Sequence, residues 1–228
     1  MFLGIYQLEQ TISSNKGKNI FMALICIFLA CGTINCFIPG SRKYFQRISS
    51  LFSQEYSPLC RNDISELHRL AKFLNSLTTN TNQHIYIAAS GGVLNSSLMA
   101  ALDKPDRDDA VYNMYKTHDV DLRDGFPTQF LQADYIVISN PIQLHLAPGS
   151  QEVVRFLAQE VQNPQSPVGK HFTKLDKVFF LDHNVRAYVY KKTSNFELQD
   201  LEFLVLYYQK CYPGKDSIFK DRILKGEK

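Results

Sequence analysis

IYIAASGGVLNSSLMAAL, residues 85–102, is the stretch on which the fold turns. Ile85, Tyr86, Ile87, Ala88 and Ala89 form an apolar run of the length that suits a buried strand, and Ser90-Gly91-Gly92 ends it. From Leu94 to Leu102 the pattern becomes helical. Strand, glycine turn and helix in that order open an α/β unit.

The neighbouring segments extend that unit. Ile64, Leu67, Leu70, Ala71, Leu74 and Leu77 recur at helical spacing, with Asp63 as N-cap, Glu66 three residues on, and the polar cluster Thr78 to Gln83 as the stop. A strand is predicted around Ala110 to Tyr115 and another over Tyr135-Ile136-Val137-Ile138, ending at Asn140-Pro141. Ser150 is the predicted cap of a helix carrying Val153, Val154, Leu157, Ala158 and Val161. The runs 177–181 and 186–190 flank Asp182-His183-Asn184-Val185 as a β-hairpin, and a helix is expected from Glu197 to Tyr208. The expected fold class is α/β: one transmembrane helix, then a three-layer Rossmann-like domain with a mainly parallel sheet and an antiparallel edge hairpin.

The transmembrane helix is IFMALICIFLACGTINCFI, residues 20–38, inside an uncharged run from Asn19 to Ser41. At about 1.5 Å per residue it is roughly 29 Å long, close to the hydrocarbon thickness of a bilayer. The chain divides into an N-terminal flank (1–18), this helix (19–40), a juxtamembrane linker (41–59) and a soluble α/β domain (60–228). A lipoprotein signal with Cys31 as the lipidated residue fits less well: Leu29 is bulky for that pattern and apolar residues continue to Ile38. Lys16 and Lys18 precede the run and Arg42, Lys43 and Arg47 follow it, a count that taken literally puts the large domain in the cytoplasm. The opening MFLGIYQLEQ is apolar and then polar, like the tail of an earlier membrane segment.

Composition excludes little but does so clearly. The formal charge is +3 with both signs interspersed, which argues against a nucleic-acid binder and its clustered basic face. Three of the five cysteines (Cys26, Cys31, Cys36) lie in the apolar run. Cys60 and Cys211 remain, able to pair in an oxidising compartment, and no Cys/His spacing suggests zinc.

Three places carry candidate chemistry. Ser90-Gly91-Gly92 sits where a Rossmann-like fold binds phosphate, yet both G-x-G-x-x-G and the Walker lysine are missing, which leaves a plain tight turn as the competing role. The segment His118-Asp119-Val120-Asp121-Leu122-Arg123-Asp124-Gly125 is the densest polar cluster. Its carboxylates serve as loop scaffolding, as anion or sugar recognition with Arg123, or as ligands of a hard cation. His145 follows a strand's carboxyl end, where open α/β sheets bind ligands, and in an extended segment Gln143 points the same way, with a satisfied structural histidine as the competing role.

Taken in order, the segments IYIAAS, GVLN, THDVDLRDGFPTQF, ADYIVISNPIQLHL, GSQEVV and LDHNVRAYVYKKTSNF resemble the C-terminal soluble domain of bacterial polytopic glycosyltransferases. These are the membrane enzymes similar to dolichyl-phosphate-mannose–protein mannosyltransferases, the GT-C superfamily. The resemblance runs from about Tyr56 to Arg222, with the apolar run as the last membrane helix. It implies a cell-membrane protein whose soluble domain is extracytoplasmic, against the literal charge count. It also implies a polyprenyl-phosphate sugar as substrate, and further membrane helices or a partner chain beside the bilayer. The family's catalytic carboxylate lies in a first extracytoplasmic loop with no counterpart in this sequence, so the resemblance assigns no catalytic residue, and neither cofactor nor metal is expected. The domain would help position acceptor or lipid carrier through Ser90, Gly91, His118, Asp119, Asp121, Arg123 and His145. The alternatives are a single-span or lipid-anchored binding module of the cell envelope, without enzymatic activity, and a membrane-tethered cytoplasmic nucleotide binder.

Overall fold

The computed structural model describes residues 12, 14–37, 61–78, 82–102, 113–147 and 149–226. The chain forms two units, Met1–Arg61 and Asn62–Lys228. In the first, helix α1 spans Asn15–Phe37. It starts ahead of the uncharged run because the Ser14 hydroxyl accepts the Gly17 N–H (3.0 Å), a cap that draws Lys16 and Lys18 into the first turns. Over Asn15–Ile34 this helix is long and apolar enough to cross a membrane, and Ile20, Leu24 and Ile27 are exposed along it. The Thr33 hydroxyl donates to the Leu29 carbonyl (2.9 Å), so that polar group is satisfied within the helix. The linker expected at 41–59 and the Cys60 thiol lie outside the described residues, and Cys211 is a free thiol.

Among the described residues the second unit holds five strands: β1 (Ile85–Ala88), β2 (Met114–Tyr115), β3 (Tyr135–Asn140), β4 (Phe172–Phe180) and β5 (Arg186–Lys192). Their order in the sheet is β2-β1-β3-β5-β4. β1 runs parallel to β2 and β3, whereas β5 is antiparallel to both β3 and β4. The sheet is therefore mixed, with β2, β1 and β3 parallel and the expected antiparallel hairpin of β4 and β5 at one edge. The hairpin inserts β5 directly against β3, pairing Tyr135↔Lys191 through Asn140↔Arg186, while β2 contributes only Met114 and Tyr115. Pairing that edge of β3 satisfies a full row of backbone groups. The remainder of the strand expected from Ala110 lies outside the described residues. Asp182–Asn184 turns the hairpin, with His183 and Asn184 in the left-handed region (φ 57° and 60°).

The same unit carries helices α2 (Ile64–Thr78), α3 (Ser96–Ala101), α4 (Asp121–Asp124), α5 (Thr128–Gln132), α6 (Glu152–Gln162), α7 (Leu198–Cys211) and α8 (Lys220–Lys225). Strand alternation sorts the interior into two clusters. Ile85, Ile87, Val137 and Val189 pack with Leu67, Leu70 and Leu74 of α2. Tyr86, Ile136, Ile138 and Tyr190 pack with Phe130 of α5, Leu157 of α6 and Leu204 and Tyr208 of α7. Leu70 and Leu74 are wholly buried, each worth about 1.5–3 kcal/mol by transfer. The start of α2 is stitched to the hairpin turn: Asn62 N–H donates to Asp182 Oδ2 (3.0 Å) and Asp182 N–H to Asp63 Oδ2 (2.8 Å).

One helix end departs from its local signal. Ser150 does not cap α6; Gln151 holds the cap position and makes no side-chain cap bond. The carboxylate of Asp121, from α4, accepts the Val153 N–H instead (3.3 Å to each oxygen). A negative group thus meets the positive end of α6 from another element. At α7 the cap is local: Glu197 and Asp200 form a capping box, and the helix runs on past Tyr208 to Cys211.

Candidate functional site: a crevice beyond β1 and β3

β1 lies between β2 and β3, so the chain leaves β1 to one side and returns on the other. In open α/β sheets such a reversal opens a crevice beyond the carboxyl ends of the strands. Three segments meet there: residues 89–95 after β1, 116–124 after β2, and 141–147 with 149–151 after β3. Ser90 N–H donates to the Gln143 carbonyl (2.9 Å). Gly91 faces Gln143 so closely that a Cβ would lie 2.8 Å from Gln143 Cβ and Oε1. Gly91→Ala therefore pushes the two loops apart, with an expected cost of about 1–3 kcal/mol. Thermal unfolding checks this, and an unchanged midpoint would contradict the close approach.

Gln151 fastens the three segments together. Its side chain is 2% exposed, and each polar atom is used. Nε2 donates to Ser90 Oγ (2.7 Å) and to the Asp119 carbonyl (2.7 Å), while Oε1 accepts the N–H groups of His145 (2.9 Å) and Leu146 (3.0 Å). No residue-level pattern marks Gln151 in the sequence; it stands between a good capping serine and an acidic helix start.

His145 Nδ1 lies 2.7 Å from the Ser90 carbonyl oxygen. A carbonyl only accepts, so in the neutral ring Nδ1 carries the proton and Nε2 keeps its lone pair. Gln151 Nε2, 3.3 Å from Nδ1, is then a packing neighbour and no hydrogen-bond partner. Burial pushes the Asp119 carboxyl above its usual range, opposed chiefly by nearby His145. His118 Nδ1 is buried without a hydrogen-bond partner, and the His118 backbone N–H lies against the hydroxyl of Tyr86 beneath the same loop. Burial, and then the charge of Asp119, push the Tyr86 phenol upward, so it stays a neutral donor. Together these groups offer one imidazole lone pair and one half-buried carboxylate, acceptors suited to the hydroxyl groups of a polyol. The Ser90 hydroxyl faces the Gln151 amide N–H, which cannot take its proton, so nothing activates Ser90 as a nucleophile.

The remaining sequence candidates stand apart. Asp121 turns away into α4 and accepts from Val153 and from the Tyr212 hydroxyl. Burial raises its carboxyl, with the Tyr212 hydrogen bond opposing. Arg123 is exposed and pairs with Asp124 (2.6 and 2.7 Å), whose carboxyl it pulls down to about 2. Asp124 Oδ2 also accepts the Asp119 and Val120 N–H groups, which shapes the loop. Among the described residues no group of three or more His, Cys, Asp or Glu is placed to hold a metal ion. The Gly91-Gly92 turn is not the helix N-terminus, since α3 starts at Ser96 and Asn95 caps it by accepting the Leu98 N–H (2.6 Å). Along residues 140–144 lies a groove of about 470 Å³, lined by Asn140, Ile142, Leu144, Arg155 and Gln159 among others.

Fold and site thus define an α/β unit with a polar cluster of loops at the reversal of its sheet, in a chain that also carries a helix apolar enough to cross a membrane. Comparisons with protein-family models, curated proteins and solved structures find no match.

Proposed function

We propose that the α/β unit is a Rossmann-like, three-layer positioning domain of a polyprenyl-phosphate-sugar-dependent glycosyltransferase of the GT-C type. In this role it sits on the extracytoplasmic face of the cell membrane and holds a sugar or the phosphate of its lipid carrier. Its own residues bind and orient, and the transfer step belongs to membrane segments other than α1. The two core clusters, one for each set of alternate strand residues, support the layered description. The observation that carries the functional part is the convergence of Ser90, Gly91, Asp119 and His145, far apart in sequence, on a single crevice. Binding at the C-terminal ends of strands flanking a reversal is the general habit of such sheets.

The test is calorimetry of the full chain in detergent micelles against a hexose 1-phosphate and a short-chain polyprenyl phosphate. Binding is expected, weakened about tenfold in His145→Ala, the loss of one hydrogen bond from a ligand hydroxyl to Nε2. Heats that are absent at millimolar ligand, or unchanged in His145→Ala, would remove the crevice from consideration. Binding with no enhancement of sugar transfer by co-expressed membrane transferases would favour the envelope binding module.

A further inference from the structure

A row of three polar side chains lies at the other end of the sheet from the crevice. Tyr135, at the start of β3, pairs with Lys191, whereas the crevice lies beyond Asn140 at the far end of that strand. Just past Lys192 the chain bends at Ser194, which is exposed, and runs through Asn195 and Phe196 to α7. Ser194 Oγ lies 2.7 Å from His171 Nδ1, and His171 Nε2 lies 2.7 Å from Asp200 Oδ2.

The placement of the protons follows from the partners. Asp200 takes Lys170 Nζ on Oδ1 (2.7 Å) and the Glu197 N–H on Oδ2 (2.8 Å), so both of its oxygens act as acceptors. The nitrogen that faces it, His171 Nε2, therefore carries the proton of the neutral ring, and Nδ1 turns its lone pair to the Ser194 hydroxyl. At Ser90 the situation is the opposite, since that hydroxyl faces an amide N–H. His171 and Asp200 are buried, and the imidazole packs against the Phe196 ring (5.0 Å between centroids). Only the hydroxyl end of the row is open to solvent. A hydroxyl within hydrogen-bond reach of a base that a third group orients is the arrangement that activates a serine, whatever its sequence context.

Two further features suit acyl transfer. The N–H groups of Ser194 and Asn195 meet no acceptor among the described residues, which leaves them as donors for an oxyanion formed beside Ser194. Asn195 also lines a groove of about 350 Å³, together with Gln132, Asp134, Lys192 and Phe196 among others. The described lining holds one cation and one carboxylate, a balance that suits a neutral acyl group better than an anion.

We propose that Ser194, His171 and Asp200 form an esterase site that hydrolyses a short, neutral acyl ester. Ser194 Oγ attacks the acyl carbonyl as its proton passes to His171 Nδ1, and the alcohol of the ester leaves with that proton. Water then attacks the acyl-serine and gives a proton to Nδ1. The acyl group departs as its carboxylic acid, and Ser194 regains its proton from Nδ1. Ser194 and His171 are the catalytic residues. Asp200 is a positioning residue that fixes the tautomer and faces the imidazolium. The proposal does not depend on what the crevice binds.

The full chain in detergent micelles is treated with a fluorophosphonate, which an activated serine attacks at phosphorus with loss of fluoride. Peptide mass spectrometry is expected to find the adduct on Ser194 of the folded chain, about tenfold or more above the chain unfolded in urea, and none at that position in Ser194→Ala. Hydrolysis of p-nitrophenyl acetate should fall about tenfold or more in Ser194→Ala, whose exposed site leaves the fold intact. NMR of the imidazole nitrogens should place the His171 proton on Nε2 and lose that preference in Asp200→Asn, with slower labelling. A proton on Nδ1 overturns the proposal, because that nitrogen could not take one from Ser194. So does an absent adduct, or one that forms equally in the unfolded chain.

Discussion

Gln151→Leu is expected to destabilise the α/β unit by about 3 kcal/mol, one of the largest effects of any single polar substitution in it. Leucine keeps the volume and removes every polar atom. Ser90 Oγ, the Asp119 carbonyl and the N–H groups of His145 and Leu146 then lose their partner together. A buried group left unsatisfied costs about 1–3 kcal/mol, and the half-exposed members of this set recover part of that from water. For a unit of this size the loss amounts to a fall of roughly 10 °C in the thermal midpoint. Gln151→Glu separates the two halves of the contact, because it keeps an acceptor for His145 and Leu146 but loses the donor to Ser90 and Asp119. Its cost should lie between wild type and Gln151→Leu near pH 4 and grow as the pH rises, when a second carboxylate ionises beside Asp119. Urea unfolding of the three proteins measures both effects. A loss below about 1 kcal/mol in Gln151→Leu would mean that the crevice segments are held by something else.

The same residue shows where sequence reasoning stops. The strand 85–89, the strand 135–138, the hairpin and the apolar faces of α2 and α6 were legible because periodicity is local: the strand's period of two and the helix's of 3.6 are written in adjacent residues. The seat of β5 was not, since the register of β5 against β3 depends on an edge that other segments leave open. Serine outranks glutamine as a cap in isolation, yet the end of α6 is supplied by Asp121 from another element. Asp119 and Asp121 stand two apart and would face one way in an extended chain. The helix α4 begins at Asp121, so the pair splits, with one carboxylate beside His145 and the other beneath α6. Of the sequence candidates, those that came together flank a strand end, where the general behaviour of α/β sheets could point to them. Gln151 contributes through burial and multiple bonding, and neither is visible in one sequence.

Asp200→Asn is expected to cost about 3 kcal/mol at pH 7, near the lower end for breaking a buried ionic network by altering one partner. Asp200 is 1% exposed, and its carboxylate joins three elements. Oδ1 pairs with Lys170 Nζ (2.7 Å), while Oδ2 meets His171 Nε2 (2.7 Å) and accepts the Glu197 N–H (2.8 Å) of the capping box. His171, itself buried, reaches Ser194 through Nδ1 (2.7 Å), so the network ties the turn before β4 and the segment after β5 to the start of α7. Asparagine fits the space but offers a single acceptor, and its N–H₂ group must face either Lys170 or both His171 and the Glu197 N–H. Burial alone would raise the Asp200 carboxyl; the Lys170 hydrogen bond, the Glu197 N–H and His171 overcome it, so the group sits below its ordinary value of 3.8. A depressed carboxyl binds its proton more weakly in the folded state, so its contribution is fully present above that ordinary value and is lost as the pH falls through the folded one. Asp119 and Asp121, raised by burial, act with the opposite sign, but they do so equally in both proteins. The gap between wild type and Asp200→Asn should therefore be widest near neutrality and close below about pH 4. Urea unfolding at pH 7 and pH 3 reads it directly: a gap that stays constant would make the contribution of Asp200 one of shape, and a gap that narrows makes it one of charge.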